Sequence, residues 1–134
     1  MTFKELLVKH EGLRLKPYRC TAGKLTIGVG RNLEDRGISN DEAMLLLDND
    51  IEQTLRECRT FPWFEQLDNV RQAVVASMVF NLGLSKFQKF KKTIAALEAG
   101  DYAEAAREMV LSDWFTQVGK RGPELMEMMR TGRG

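Results

Sequence analysis

The spacing of apolar residues changes twice along this chain, and that change limits the fold more than any other feature. Phe3, Leu6, Leu7 and His10 recur at helical spacing. Leu25, Ile27 and Val29 then alternate with Thr26, Gly28 and Gly30, the two-residue period of a strand. From residue 39 onward the helical period returns and persists. A short strand-bearing stretch inside an otherwise helical sequence places the chain in the α+β class with helix dominant.

Local signals set the boundaries. Thr2 followed by Glu5 is a capping box, so a first helix runs from about 3 to 11, and Gly12 stops it. Strand character covers 16–20 and 24–29, with Thr21-Ala22-Gly23 as the hairpin turn. Arg31 to Gly37 reads as a polar connection. Ser39 and Glu42 form a second capping box, opening a long helix that carries Ala43, Leu46, Leu47, Ile51, Leu55 and Cys58 inward and ends by Pro62. From Asp68 to Leu82 the chain is apolar on nearly every side, the mark of a helix buried within a bundle. Short helices follow over 84–91, 93–98, 101–110, 112–117 and 123–130. Trp63, Trp114, Met126, Met128 and Met129 are expected to pack in the core or between lobes.

At 134 residues the chain has room for one domain. Its expected parts are a small lobe over about 12–38, a connecting helix over about 39–60, and a helical lobe over about 61–134 that also takes in the helix 3–11. A cleft between lobes is the default ligand site. With 43% hydrophobic and 29% charged residues, disorder, collagen and coiled coil are excluded. No apolar run has the length of a membrane span, and the start lacks the pattern of a signal peptide. Cytoplasmic residence in the producing cell, without stable membrane insertion, is therefore expected. Cys20 and Cys58 are too few and too scattered for a disulfide framework or a zinc site. The net charge of +1 hides an uneven distribution, with seven basic against two acidic residues over 1–33 and three against ten over 34–70. A basic N-terminal third suits an anionic partner such as a bacterial envelope.

Glu11 closes the first helix, where the carbonyl end disfavours a carboxylate and raises its pKa, the property a general acid needs. The segment Glu11-Gly12-Leu13-Arg14-Leu15-Lys16-Pro17-Tyr18, continued by Cys20-Thr21-Ala22-Gly23-Lys24-Leu25-Thr26-Ile27-Gly28-Val29-Gly30, closely resembles the catalytic region of the T-even-type phage lysozymes, glycoside hydrolase family 24. The resemblance extends to Asp41-Glu42-Ala43, Leu67-Asp68-Asn69-Val70-Arg71 and Met78-Val79-Phe80-Asn81-Leu82-Gly83. It continues through Trp114, Gln117 and Arg121 to Arg130-Thr131-Gly132, nearly the whole chain. It implies a two-lobed lysozyme-like fold and cleavage of the β-1,4 bond between N-acetylmuramic acid and N-acetylglucosamine in peptidoglycan, without metal or cofactor. It also implies a monomer stored in the cytoplasm and released to the wall for host cell lysis.

In that pattern a Glu protonates the leaving oxygen, an Asp activates water or stabilises the cation, and a Thr positions the water. Glu11 and Thr26 match the first and third, while Cys20 stands where the Asp is usual. Glycoside hydrolysis commonly uses two carboxylates, so three readings of Cys20 stay open. A thiolate acts as base or nucleophile in a working hydrolase, although a free thiol titrating near about 8.5 is mostly protonated at neutral pH. Alternatively Glu11 works alone and the substrate's C6 hydroxyl attacks, as in a lytic transglycosylase, or the site is inactive and only binds glycan. Cationic Arg19, Lys24 or Arg121 would lower the thiol's pKa, and ionised Glu11 would raise it.

The resemblance further implies that Phe80 and Asn81 form the cleft wall that meets an N-acetyl group, and that Gln117 and Arg121 close the cleft beside Glu11. The bland alternatives are core packing, helix capping and an exposed helix turn. Arg31 replaces a histidine that several relatives carry in support of the fold. Gly28-Val29-Gly30 lacks the third glycine of a dinucleotide fingerprint, and His10 stands alone, so no metal or nucleotide is expected. A nucleic-acid-binding helical module is the alternative of another class, disfavoured by the low net charge.

Overall fold

The first helix begins where its cap dictates. In the computed structural model, which describes residues 1–134, Thr2 Oγ1 accepts the Glu5 backbone N–H at 3.1 Å, and the Glu5 carboxylate accepts the Thr2 N–H at 3.1 Å. Two orphan donors of α1 (Phe3–Glu11) are thereby satisfied. Gly12 ends the helix with φ 75°, donating its N–H back to the Val8 carbonyl.

Three antiparallel strands follow in the order β1 (Arg14–Arg19), β2 (Leu25–Gly28), β3 (Arg31–Asn32). Tyr18 faces Thr26 and Arg19 faces Leu25, and an irregularity lies between Arg14 and Tyr18. Residues 31–36 differ from the sequence reading, which made them a plain connection. Arg31 and Asn32 pair with Ile27 and Thr26, and Asn32 then caps the short helix α2 (Leu33–Arg36) by accepting the Asp35 N–H at 2.9 Å. Two residues cannot display a strand period, and four cannot display a helical one.

Helix α3 (Asn40–Cys58) starts at the expected box, in which Ser39 Oγ accepts from Glu42 N–H and Glu42 Oε1 from Ser39 N–H. Glu42 is also gripped bidentately by Arg31, at 2.8 and 2.6 Å, while Arg31 donates to the Gly37 carbonyl at 3.1 Å. This fork joins β3 to the start of α3. The Arg31 guanidinium, helped by the Ser39 N–H, pushes the Glu42 carboxyl down to about 2.

The chain divides into two compact units, Met1–Leu47 and Asp48–Gly134, with the division inside α3. In the second unit a single 3-10 turn at Phe64–Gln66 precedes α4 (Asn69–Leu82), which Asp68 caps by accepting the Arg71 N–H. Then come α5 (Leu84–Phe87), α6 (Lys91–Glu98), α7 (Tyr102–Val110), α8 (Asp113–Gln117) and α9 (Arg121–Thr131). Helix α4 buries Val74, Val75, Met78 and Val79, as its unbroken apolar character requires. Around it lie Phe64, Phe87, Met109 and Met129, with Trp63 and Trp114 also in the core. Each such side chain contributes about 1.5–3 kcal/mol on burial.

Two close approaches lock this unit. A Cβ on Gly122 would lie 2.6 Å from the Phe115 carbonyl oxygen, so only glycine lets α9 pass α8 there. Arg71 reaches from α4 to the other end of the sequence. It donates to the carbonyls of Met129 at 2.7 Å and Arg130 at 3.1 Å, pairs with Asp68 at 2.9 Å, and stacks its guanidinium 4.0 Å over the Tyr102 ring. Gly132 leaves room for it, since a Cβ there would stand 2.9 Å from Nη1.

Candidate active site

Glu11, Cys20 and Thr26 all belong to the Met1–Leu47 unit, and short-range geometry fixes each of them. Glu11 is exposed at the last position of α1. Its carboxyl end lies against the backbone of Gly30, where a Cβ would stand 3.0 Å from Glu11 Oε2 and 3.1 Å from Cδ. Gly30 also has φ +69°, a conformation that side chains disfavour. The residue is therefore required twice over, once by the turn after β2 and once by the carboxyl beside it. The sequence separates these two residues by the whole hairpin, and nothing in its pattern signals that the group approaching Gly30 is Glu11.

Cys20 opens the hairpin turn. Its N–H donates to the Lys24 carbonyl at 3.0 Å, and its carbonyl accepts the Gly23 N–H at 2.8 Å. This closed turn brings the backbone N–H groups of Lys24 and Ala22, and the Thr26 hydroxyl, close enough to the sulfur to hold the thiol below its ordinary value. Two of the three cations named as candidates for that effect, Arg19 and Lys24, have other partners. Arg19 pairs with Glu34 at 3.3 Å, and the Lys24 ammonium pairs with Asp35 at 3.3 Å and Glu34 at 3.6 Å, both carboxylates of α2. Backbone dipoles rather than side-chain charges tune the sulfur. Cys58 shows the reverse, since burial pushes its thiol up to about 11. Of the two cysteines only Cys20 is half-exposed and inclined to ionise.

Thr26 is 3% exposed, the deepest residue of its unit, and its hydroxyl donates to the Lys24 carbonyl at 2.8 Å. That single hydroxyl proton is shared between a carbonyl and any thiolate at Cys20, which couples the two side chains. Sequence reasoning had no access to Glu34 and Asp35, which hold Arg19 and Lys24 in place around the turn. The only available signal was the acidic pair Glu34-Asp35, one residue beyond Asn32.

The remaining candidates lie in the Asp48–Gly134 unit. Asn81 and Arg121 share a pocket of about 280 Å³ with Ser77, Trp114 and Glu124. Gln117, the last residue of α8, lines a second pocket of about 570 Å³, to which Trp114 also contributes. A turn separates Gln117 from Arg121, which begins α9, so the pair sits on two helices. Phe80 is half-exposed and lines neither pocket, which removes core packing as its role. Trp63, Trp114 and Met129 are buried as expected, and Met126 and Met128 pack against the same core.

A family model described as phage lysozyme matches residues 8–130, a span that contains every one of these candidates. A probable T4-type lysozyme 2 of Dictyostelium discoideum is 29% identical over 98% of this chain and 95% of its own length. An endolysin of Acyrthosiphon pisum secondary endosymbiont phage 1 is 34% identical over 88% of this chain and 82% of its own. A SAR-endolysin of Escherichia phage Mu is 30% identical over 92% and 71%, respectively. Together with a mostly helical α+β fold carrying a small antiparallel sheet, these matches define the class as lysozyme-type peptidoglycan hydrolases. The chain belongs to the phage lysozyme family.

Proposed function

We propose that this chain is a muramidase that hydrolyses the β-1,4 bond between N-acetylmuramic acid and N-acetylglucosamine, with Glu11 as general acid and Cys20 as base or nucleophile. The observation that carries the reading is the hairpin turn at Cys20, whose backbone N–H groups favour the thiolate that this chemistry needs in place of a carboxylate. Glu11 gives its proton to the glycosidic oxygen as the bond to C1 breaks. As base, the Cys20 thiolate takes a proton from water, whose oxygen bonds C1, and the anomer is inverted. As nucleophile, the sulfur bonds C1 first and water later displaces it, returning a proton to Glu11, and the anomer is retained. Thr26 is a positioning residue in both, since its hydroxyl stabilises the sulfur's charge. Asn81, Gln117 and Arg121 bind substrate, with Phe80 as an exposed aromatic contact.

The endolysin names of two phage relatives support a role in host cell lysis. Storage inside the producing bacterium, monomeric, until release to the wall belongs to the same proposal. No helix is long and apolar enough to cross a membrane.

Mass spectrometry of muropeptides released from purified peptidoglycan tests the chemistry. Products with reducing-end muramic acid are expected, whereas 1,6-anhydro products, lighter by one water, would make the protein a transglycosylase run by Glu11 alone. Wall that is bound but uncut would reduce it to a glycan-binding module. Cys20→Ala should abolish hydrolysis and Cys20→Asp should retain much of it. The rising limb of the Cys20→Asp pH profile should move to more acid pH, because a carboxyl ionises before a thiol.

A further inference from the structure

The 570 Å³ pocket shares Gln117 with the proposed substrate site, but its cluster of lysines is a charge pattern that the hydrolytic reading does not use. Lys86, Lys89, Lys91 and Lys92 all line it, and none of the four makes an ion pair. Lys91 and Lys92 occupy the first turn of α6, a helix whose N-cap, Phe90, offers no side-chain acceptor. Cations at the positive end of an uncapped helix repel it, and an anion placed there would satisfy both the lysines and the open N–H groups. Trp114 is 3% exposed, lines both this pocket and the 280 Å³ one, and its indole N–H has no hydrogen-bond partner. A buried donor left unpaired is costly, and an acceptor entering either pocket would relieve it.

The pocket also holds two carboxylates. Glu108 is largely covered and lies 3.7 Å from Arg107, while Asp113 stands in the first turn of α8, where helix polarity favours it. Neither carboxylate is paired with any of the four lysines, which leaves the cationic side in excess. The apolar part decides between a soluble anion and an amphiphile. Leu111 lines the pocket with 66% of its surface exposed, and the adjoining Val110 is 41% exposed. A free anion has no use for these, whereas an exposed leucine beside a cluster of lysines matches the boundary between headgroups and acyl chains.

We propose that this pocket is a membrane-docking site that takes the phosphate of an anionic phospholipid headgroup among Lys86, Lys89, Lys91 and Lys92, with Leu111 entering the acyl boundary. Its volume lies within the range of ordinary ligand pockets. Docking would hold the enzyme on a phospholipid surface without a spanning helix. Salt should weaken it, because the lysines are exposed.

Co-sedimentation of the full chain with vesicles of equal parts phosphatidylglycerol and phosphatidylcholine tests this, with pure phosphatidylcholine as control. Binding to the first and not the second is expected. Lys89→Gln with Lys92→Gln should weaken it by about thirtyfold, at roughly fivefold per cation, and Leu111→Ser by about tenfold. Inorganic phosphate should release the protein no better than chloride of equal ionic strength. Saturable phosphate binding that Leu111→Ser leaves intact would reassign the pocket to a soluble anion and overturn the proposal, as would equal binding to both vesicle types. Digestion of lipid-free peptidoglycan by the lysine variant should stay at the parent rate. A fall in step with vesicle binding would give the pocket to the wall substrate instead.

Discussion

The two units of this protein are held by different forces. In Met1–Leu47, Thr26 is the one buried side chain, and shape is set by directional polar contacts: two capping boxes, the Arg31–Glu42 fork, and the Arg19 and Lys24 pairs with α2. In Asp48–Gly134 a continuous apolar core runs from Cys58 to Met129. The groups proposed to do chemistry all lie in the polar unit. Hydrogen bonds fix a carboxyl or a sulfur by direction as well as distance, which dispersion forces among apolar side chains do not. Chemical precision and bulk stability are therefore assigned to separate parts of one chain.

The contrast breaks if activity and stability fail to separate on mutation. Glu11→Gln should lower wall hydrolysis by about a thousandfold, within the range of lost general acid catalysis, while its unfolding midpoint stays at the parent value by circular dichroism. Phe87→Ala should do the opposite, costing about 3–5 kcal/mol in urea unfolding because it hollows the apolar core. Arg71→Ala should cost about 2 kcal/mol in the same measurement, since it frees two carbonyls and leaves Asp68 unpaired. A loss of less than half a kcal/mol would show that the guanidinium is dispensable.

Smaller effects sharpen the picture within the polar unit. Gly30→Ala should cost about 1 kcal/mol through its positive φ, and it should lower activity further than that, because the new methyl meets Glu11. The Arg31–Glu42 fork should appear in the pH dependence of unfolding. The Glu42 carboxyl is depressed to about 2 from its ordinary 4.5, so its contribution is complete above about 4.5 and is lost as pH falls toward 2. Glu42→Gln should flatten that acid limb, and an unchanged limb would mean that the fork does not outlast solvent screening.

Much of the frame was legible because it rests on local signals. Thr2 with Glu5, Ser39 with Glu42, and Thr21-Ala22-Gly23 each act within a few residues, and each sits where its pattern places it. Helix α4 was readable from hydropathy alone. Illegible were β3 and α2, too short to show a period, and the contacts that shape the site. The Glu11 carboxyl meets Gly30 across the hairpin, and the sulfur of Cys20 is tuned by amide groups whose direction no side-chain identity reports. Charges near a cysteine in sequence pointed to Arg19 and Lys24, which the fold hands to Glu34 and Asp35 instead.

The grip of Arg71 on the Met129 and Arg130 carbonyls also bears on synthesis. These partners lie 58 and 59 residues further along the chain, so they leave the ribosome long after helix α4 does. Until they arrive, the guanidinium has only Asp68 and Tyr102 to hold, and the apolar face of α4 lacks Met129. A product terminated before residue 129 therefore carries an open core, the kind of species that chaperones and proteases remove.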